Sequence, residues 1–108
     1  MAFKSKVTPD VGLSGSPSTV TATVASGGAH TIIGLAFANV GSANVTVSAK
    51  LNKNGGSSAF LIKDAIVPLG GALALVGGDQ KVVLEEGDTV TAYASAASSI
   101  DATLSYLV

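Results

Sequence analysis

Residues 19–25 place Val20, Ala22 and Val24 on one face and Thr19, Thr21 and Thr23 on the other. That period of two is the mark of a half-buried strand, and Ser26-Gly27-Gly28 ends it. Residues 30–39 are apolar on both faces, with Ile33, Leu35 and Phe37 opposed to Ile32, Gly34, Ala36 and Ala38. A strand of this kind is covered on both sides; the N-terminal segment or another subunit is the expected second cover. After Gly41-Ser42, Val45, Val47, Ala49 and Leu51 alternate with Thr46, Ser48 and Lys50, which predicts a strand with one wet face.

Residues 52–58 read Asn-Lys-Asn-Gly-Gly-Ser-Ser, a polar loop whose Asn-Gly pair tolerates the positive φ of a hairpin turn. Strand character returns over 59–69, where Pro68 marks an edge or an end, and again over 72–76 after Gly70-Gly71. Gly77-Gly78-Asp79 reads as another turn. Leu84-Glu85-Glu86-Gly87-Asp88-Thr89-Val90 then forms an acidic, glycine-centred turn between 81–84 and the alternating run 89–95, and predicts a β-hairpin. Alternation resumes from Ile100 to the C-terminus.

Residues 1–17 mix prolines, glycines and serines with isolated Phe3, Val7, Val11 and Leu13. No helical or strand period emerges there. They form either a frayed end or an extended arm that docks on the domain or on a neighbour. About eight short strands at spacings near 8 to 12 residues predict an all-β fold, an antiparallel β-sandwich with Greek-key or jelly-roll-like connections. The expected organisation is an extended N-terminal arm over 1–17 and a single β-sandwich domain over 18–108.

Composition changes this picture at the surface and in the core. Charged residues are only 12% of the 108, about half the usual share, so Ser and Thr must supply most of the wet surface. Alanine is frequent at inward positions and aromatics are few, so the expected core is thin and assembly with other subunits would add burial. All six basic residues are lysine and the net charge is −1, which predicts no nucleic-acid partner. There is no cysteine for a disulfide or thiolate site. The longest apolar run, 32–40, contains Gly34 and Asn39 and is too short for a membrane-spanning helix. No apolar signal region follows Met1, so no secretory signal peptide is expected, and no membrane partner is expected either.

Candidate chemistry is sparse. His30 stands alone beside apolar residues, which favours a structural role over a catalytic one. Glu85, Glu86 and Asp88 offer oxygens that a calcium site would use, but a solvated turn in which Asp88 caps backbone amides is the stronger reading. The glycine pairs precede no predicted helix and lack the Lys-Ser/Thr ending of a phosphate loop. No Gly-x-Ser-x-Gly elbow occurs. The residues predict no enzyme, no cofactor and no metal.

Several segments resemble the small β-sandwich structural proteins of tailed bacteriophage virions. They are Thr31-Ile32-Ile33-Gly34-Leu35-Ala36-Phe37-Ala38-Asn39, Asn44-Val45-Thr46-Val47, Leu61-Ile62-Lys63-Asp64-Ala65, Ile66-Val67-Pro68-Leu69-Gly70-Gly71 and Leu75-Val76-Gly77-Gly78-Asp79-Gln80-Lys81. Residues 84–90 and Ala96-Ala97-Ser98-Ser99, leading into Leu104-Ser105-Tyr106-Leu107, complete the set. The resemblance rests on turn and core positions and implies no catalytic residue. It implies a capsid decoration, or cement, protein on the outer capsid surface, of a class often trimeric, with itself as a homotrimer and the major capsid protein or another virion protein as the expected partners. A tail, neck or fibre-associated protein is the alternative within that class. A carbohydrate-binding module is the alternative outside it, although the chain has no tryptophan for a sugar platform. The expected contact residues are Phe3, Val7, Val11 and Leu13 on the arm, Ile32 on the doubly apolar strand, and Asn54 at the polar loop tip.

Overall fold

The computed structural model describes residues 2–77 and 80–108, which form β-strands and no helix. The strands are β1 (Phe3–Thr8), β2 (Ser18–Thr19), β3 (Ala29–Asn39), β4 (Val45–Asn52), β5 (Ser58–Val67), β6 (Ala72–Val76), β7 (Val82–Glu85), β8 (Thr89–Ala94) and β9 (Ile100–Leu107). Sheet A runs β1-β9-β3-β6, with β7 also paired to β3, and sheet B runs β2-β8-β4-β5. Every pairing is antiparallel.

β6 and β7 are two pieces of one interrupted strand. β6 pairs the second half of β3, with Ala38 opposite Ala72, and β7 pairs the first half, with Ala29 opposite Glu85. Counted together they leave eight strands, in sheet orders 1-9-3-(6/7) and 2-8-4-5. That is the double-sheet jelly roll, in which the chain passes repeatedly from one sheet to the other. Part of the turn expected at Gly77-Gly78-Asp79 lies at residues 78 and 79, outside the described residues.

This connectivity corrects the hairpin expected over residues 81–90. β7 belongs to sheet A and β8 to sheet B, and the two do not pair. The expected turn chemistry is present, because the Asp88 N–H donates to the Glu85 carbonyl at 3.0 Å and Gly87 has φ +83°. The turn, however, opens into an arch between sheets, with Leu84 and Val90 both fully buried from opposite layers. Among the described strands, consecutive partners occur only at β4 and β5, across the Asn-Gly-Gly loop.

The N-terminal segment is built into both layers. β1 pairs β9 from Phe3 opposite Leu107 to Thr8 opposite Ala102. Val11 then enters the core at 0% exposure, its N–H donating to the Ile100 carbonyl at 2.8 Å. Gly12 accepts the Ala94 N–H, and β2 continues along β8. The segment is not a frayed end, but it is joined to the domain by its backbone: of the four apolar side chains expected to dock, Val11 alone is buried, and Phe3, Val7 and Leu13 are exposed. The strand expected over 19–25 is confined to Ser18–Thr19. Val20 and Val24 do point inward, but β8 begins at Thr89, so the segment runs past the end of its only partner.

β3 departs from simple alternation. Its pairing with β9 shifts between Ile32 and Gly34, a bulge that lets one extra residue into the strand. Ile32 and Leu35, expected on opposite faces, therefore both point into the core, and His30, Phe37 and Asn39 join them. Thr31, Ile33, Ala36 and Ala38 face outward and are half-buried. The arm does not cover them, since β1 lies beyond β9.

Between the sheets, Ile32, Leu35, Phe37, Leu84, Ile100 and Leu104 supply the bulk from sheet A, while sheet B contributes mainly valine and alanine. Fully burying one large side chain contributes about 1.5–3 kcal/mol. The burden of core formation thus falls on the sheet A side. Asn39 is compatible with this interior because its amide donates to the Ala43 and Val67 carbonyls at 2.8 and 3.0 Å.

Candidate interaction surface

Register fixes the outer face of sheet A residue by residue. Phe3 lies opposite Leu107, Leu107 opposite Thr31, and Thr31 opposite Val83, so four strands contribute one row. A second row runs Val7, Thr103, Ala36, Ala74. Between them lie Ser5, Ser105 and the bulged Ile33-Gly34. Phe3 is 77% exposed, Val7 65% and Val83 52%. The outward strand positions carry charge only at opposite ends, at Asp101 beside Ala38 and Glu85 beside Ala29. Apart from Ile33, small side chains occupy the centre, so another surface can approach much of the sheet closely.

Sheet B turns a different surface outward. Its strand positions include Thr46, Lys50 and Asn52 on β4 and Thr89, Thr91 and Tyr93 on β8. Asn52 donates to the Thr91 hydroxyl at 3.0 Å. Phe60 lies under two ammonium groups, Lys50 at 5.1 Å and Lys63 at 5.3 Å from the ring centroid, and these cations attract the ring's negative face. Two register shifts bend β5. At one, Asp64 adopts φ +52°, and Ser48 closes the bulge by accepting the Asp64 N–H at 2.9 Å. A shallow depression beside it, about 310 Å³, is lined by Asn44, Val45, Thr46, Ile66 and Ser95.

The acidic turn forms a structural tie between loops. Asp88 is buried, and its carboxylate accepts the Asn54 N–H at 2.9 Å, the Glu85 N–H at 2.9 Å and the Lys53 ammonium. Those bonds, led by the one from Lys53 and followed by the two backbone amides, hold its pKa down to about 2. The Lys53 ammonium donates to the Asp88 carboxylate and, at 3.1 Å, to the Glu85 carboxylate, and these bonds, Asp88 first and Glu85 second, raise its pKa. Glu86 accepts the Gly27 N–H at 3.1 Å. The backbone-capping role expected of Asp88 is therefore the one it performs. No group of three or more His, Cys, Asp or Glu residues is arranged to hold a metal among the described residues. His30 is buried and stacked on Tyr106 at 4.9 Å between centroids.

The six residues expected to make contacts are scattered. Phe3 and Val7 lie on the outer face of sheet A. Val11 and Ile32 are corrections: both are 0% exposed, because the crossing segment plugs the sandwich with Val11 and the β3 bulge turns Ile32 inward. Leu13 is exposed in the connection before β2. Asn54 is exposed at its loop tip, where its backbone serves Asp88 and its side chain lies against Gly87.

Sequence reasoning missed Val83, Leu107 and Ile33 on the outer face. Val83 had a signal, since it stands between inward Val82 and Leu84. Ile33 had none, because a bulge erases the period that would place it.

The comparisons add no relative. No family model matches the chain, no curated protein matches it, and no solved structure matches it.

Proposed function

We propose that this chain is a structural protein of a tailed-bacteriophage virion, a decoration protein that binds the outer capsid surface, as a homotrimer, and holds capsomers together. The carrying observation is the outer face of sheet A, with exposed Phe3, Val7 and Val83 and strand positions charged only at Asp101 and Glu85. An exposed apolar area rimmed by polar groups marks a protein contact more often than bare solvent-facing surface. The sequence resemblance to small virion β-sandwiches supplies the class, and the jelly-roll architecture agrees with it, being common in viral capsid domains as well as in lectins. The role is mechanical: area buried against the shell stabilises it, with affinity set by a few anchors. The polar groups first considered for chemistry, His30 and Asp88, are engaged in stacking and backbone bonds.

Cosedimentation with shells assembled from the major capsid protein of the same genome tests this. The expected result is saturable binding that Val83→Lys abolishes while the variant keeps its melting temperature. A chain that stays in the supernatant at every concentration overturns the reading.

A further inference from the structure

The structure assigns β1 a second role, as an open sheet edge that accepts an extended acidic segment of another protein. This stands apart from where the chain assembles, because it rests on the backbone of one strand. β1 ends the path of sheet A and pairs only β9. Ala2 and Val108 exchange both backbone bonds, at 3.2 and 2.9 Å. Antiparallel ladders alternate, so Lys4, Lys6 and Thr8 also direct their backbone groups at β9. Phe3, Ser5 and Val7 direct theirs to the free edge.

An incoming strand would therefore find N–H and C=O groups at alternate residues, the geometry of β-augmentation. Its side chains opposite Phe3 and Val7 would lie on the outer face, where both residues are largely exposed. Those opposite Lys4 and Lys6 would sit in non-hydrogen-bonded pairs, where side chains approach most closely.

Charge selects the occupant. Neither lysine has a carboxylate partner among the described residues: the Lys6 ammonium donates instead to the Thr21 and Thr19 carbonyls at 3.0 and 3.4 Å. Antiparallel pairing of β1 with a second copy, in the phase that satisfies Phe3, Ser5 and Val7, places lysine opposite lysine. Like charges directly opposite are unfavourable, and edge lysines are a known guard against self-association. A segment with apolar residues opposite Phe3 and Val7 and carboxylates opposite Lys4 and Lys6 reverses that repulsion into attraction.

The test uses the full chain and a synthetic peptide alternating valine with glutamate, with a valine–lysine peptide as comparison. Amide exchange followed by NMR should show new protection at Phe3, Ser5 and Val7, and none at Lys4 or Lys6, whose amides are already bonded. The glutamate peptide should bind roughly tenfold more tightly than the lysine peptide, and Lys4→Glu should shrink or invert that preference. Ser5→Pro removes an outward N–H without touching the β9 ladder, and should lower affinity at an unchanged melting temperature. Absence of protection at the three amides overturns the proposal, as does equal binding of the two peptides.

Discussion

Outward positions on β9 and β3 read Asp101, Thr103, Ser105, Leu107 and Thr31, Ile33, Ala36, Ala38, whereas those on β4 and β8 read Thr46, Ser48, Lys50, Asn52 and Thr89, Thr91, Tyr93. The two sheets are antiparallel layers around one core, yet they face their surroundings differently. Sheet B turns mostly polar side chains outward on β4 and β8: its lysines lie over Phe60, Asn52 bonds to the Thr91 hydroxyl, and Ser48 closes the β5 bulge, while Ile66 on β5 stands 69% exposed. Sheet A leaves Phe3, Val7 and Val83 uncovered around a centre of Ala, Ser, Thr and Gly. On sheet A the outward strand positions carry charge only at Asp101 and Glu85, at opposite ends. On the proposed reading, this difference in outward residues, rather than low charge in itself, is what would suit sheet A to burial in an assembly.

The sharpest break of the comparison is a charge introduced on each face in turn. An uncompensated charge buried at a contact costs about 3–5 kcal/mol. Ala36→Lys should therefore weaken shell binding by a hundredfold or more, measured by cosedimentation, while Thr91→Lys on sheet B leaves binding within about twofold of the parent, the usual range for an exposed surface change. Equal losses from both would erase the distinction between the faces.

Next in size comes the tie beneath the faces. Asp88→Asn should lower the melting temperature by removing the ion pair with Lys53, and it should also change the response to acid. The folded pKa of Asp88 is depressed from 3.8 to about 2. Its contribution is thus fully present above the unfolded value and is lost as pH falls from about 4 through about 2. Thermal melts across that window should show a slope in the parent that is reduced in the variant.

Gly87→Ala probes the same arch. Gly87 has φ +83°, and an added Cβ would stand 2.5 Å from the Asn54 side chain. The left-handed conformation alone costs a non-glycine residue about 1–2 kcal/mol, so chemical denaturation should report a loss of at least that size. Smallest is Phe60→Ala on sheet B, which removes two exposed cation–π contacts of about 0.5–1 kcal/mol each. It should leave shell binding unchanged.

Much of the fold is legible in residue order because alternation needs no partner to be seen. β4, β8 and β9 follow from their period of two, and Pro68 and the glycine turns bound the others. Pairing is less legible. Leu84 to Val90 carries every local mark of a hairpin, since the turn bond and the positive φ at Gly87 are the same whether the chain folds back or crosses to the opposite sheet. The difference lies in which layers Leu84 and Val90 bury against, a tertiary choice.

β1 is hard to read for another reason. No strand period stands out in its sequence, and the structure inverts the usual arrangement, with Phe3 and Val7 turned out and Lys4 and Lys6 turned toward the sandwich rim, so the usual rule of apolar residues inside fails there. That inversion is itself the signature of the candidate surface. Ile32 and Leu35 share a face that strict alternation denies them, because a one-residue bulge reverses every assignment beyond it.

The most direct measurement is a density map of the chain bound to capsid shells, resolved well enough to orient its two sheets. The account predicts the outer face of sheet A against the capsomers or a neighbouring copy, with Val83 and Ala36 buried and Thr91 and Tyr93 facing solvent. A map with sheet B against the shell and sheet A bare would contradict it.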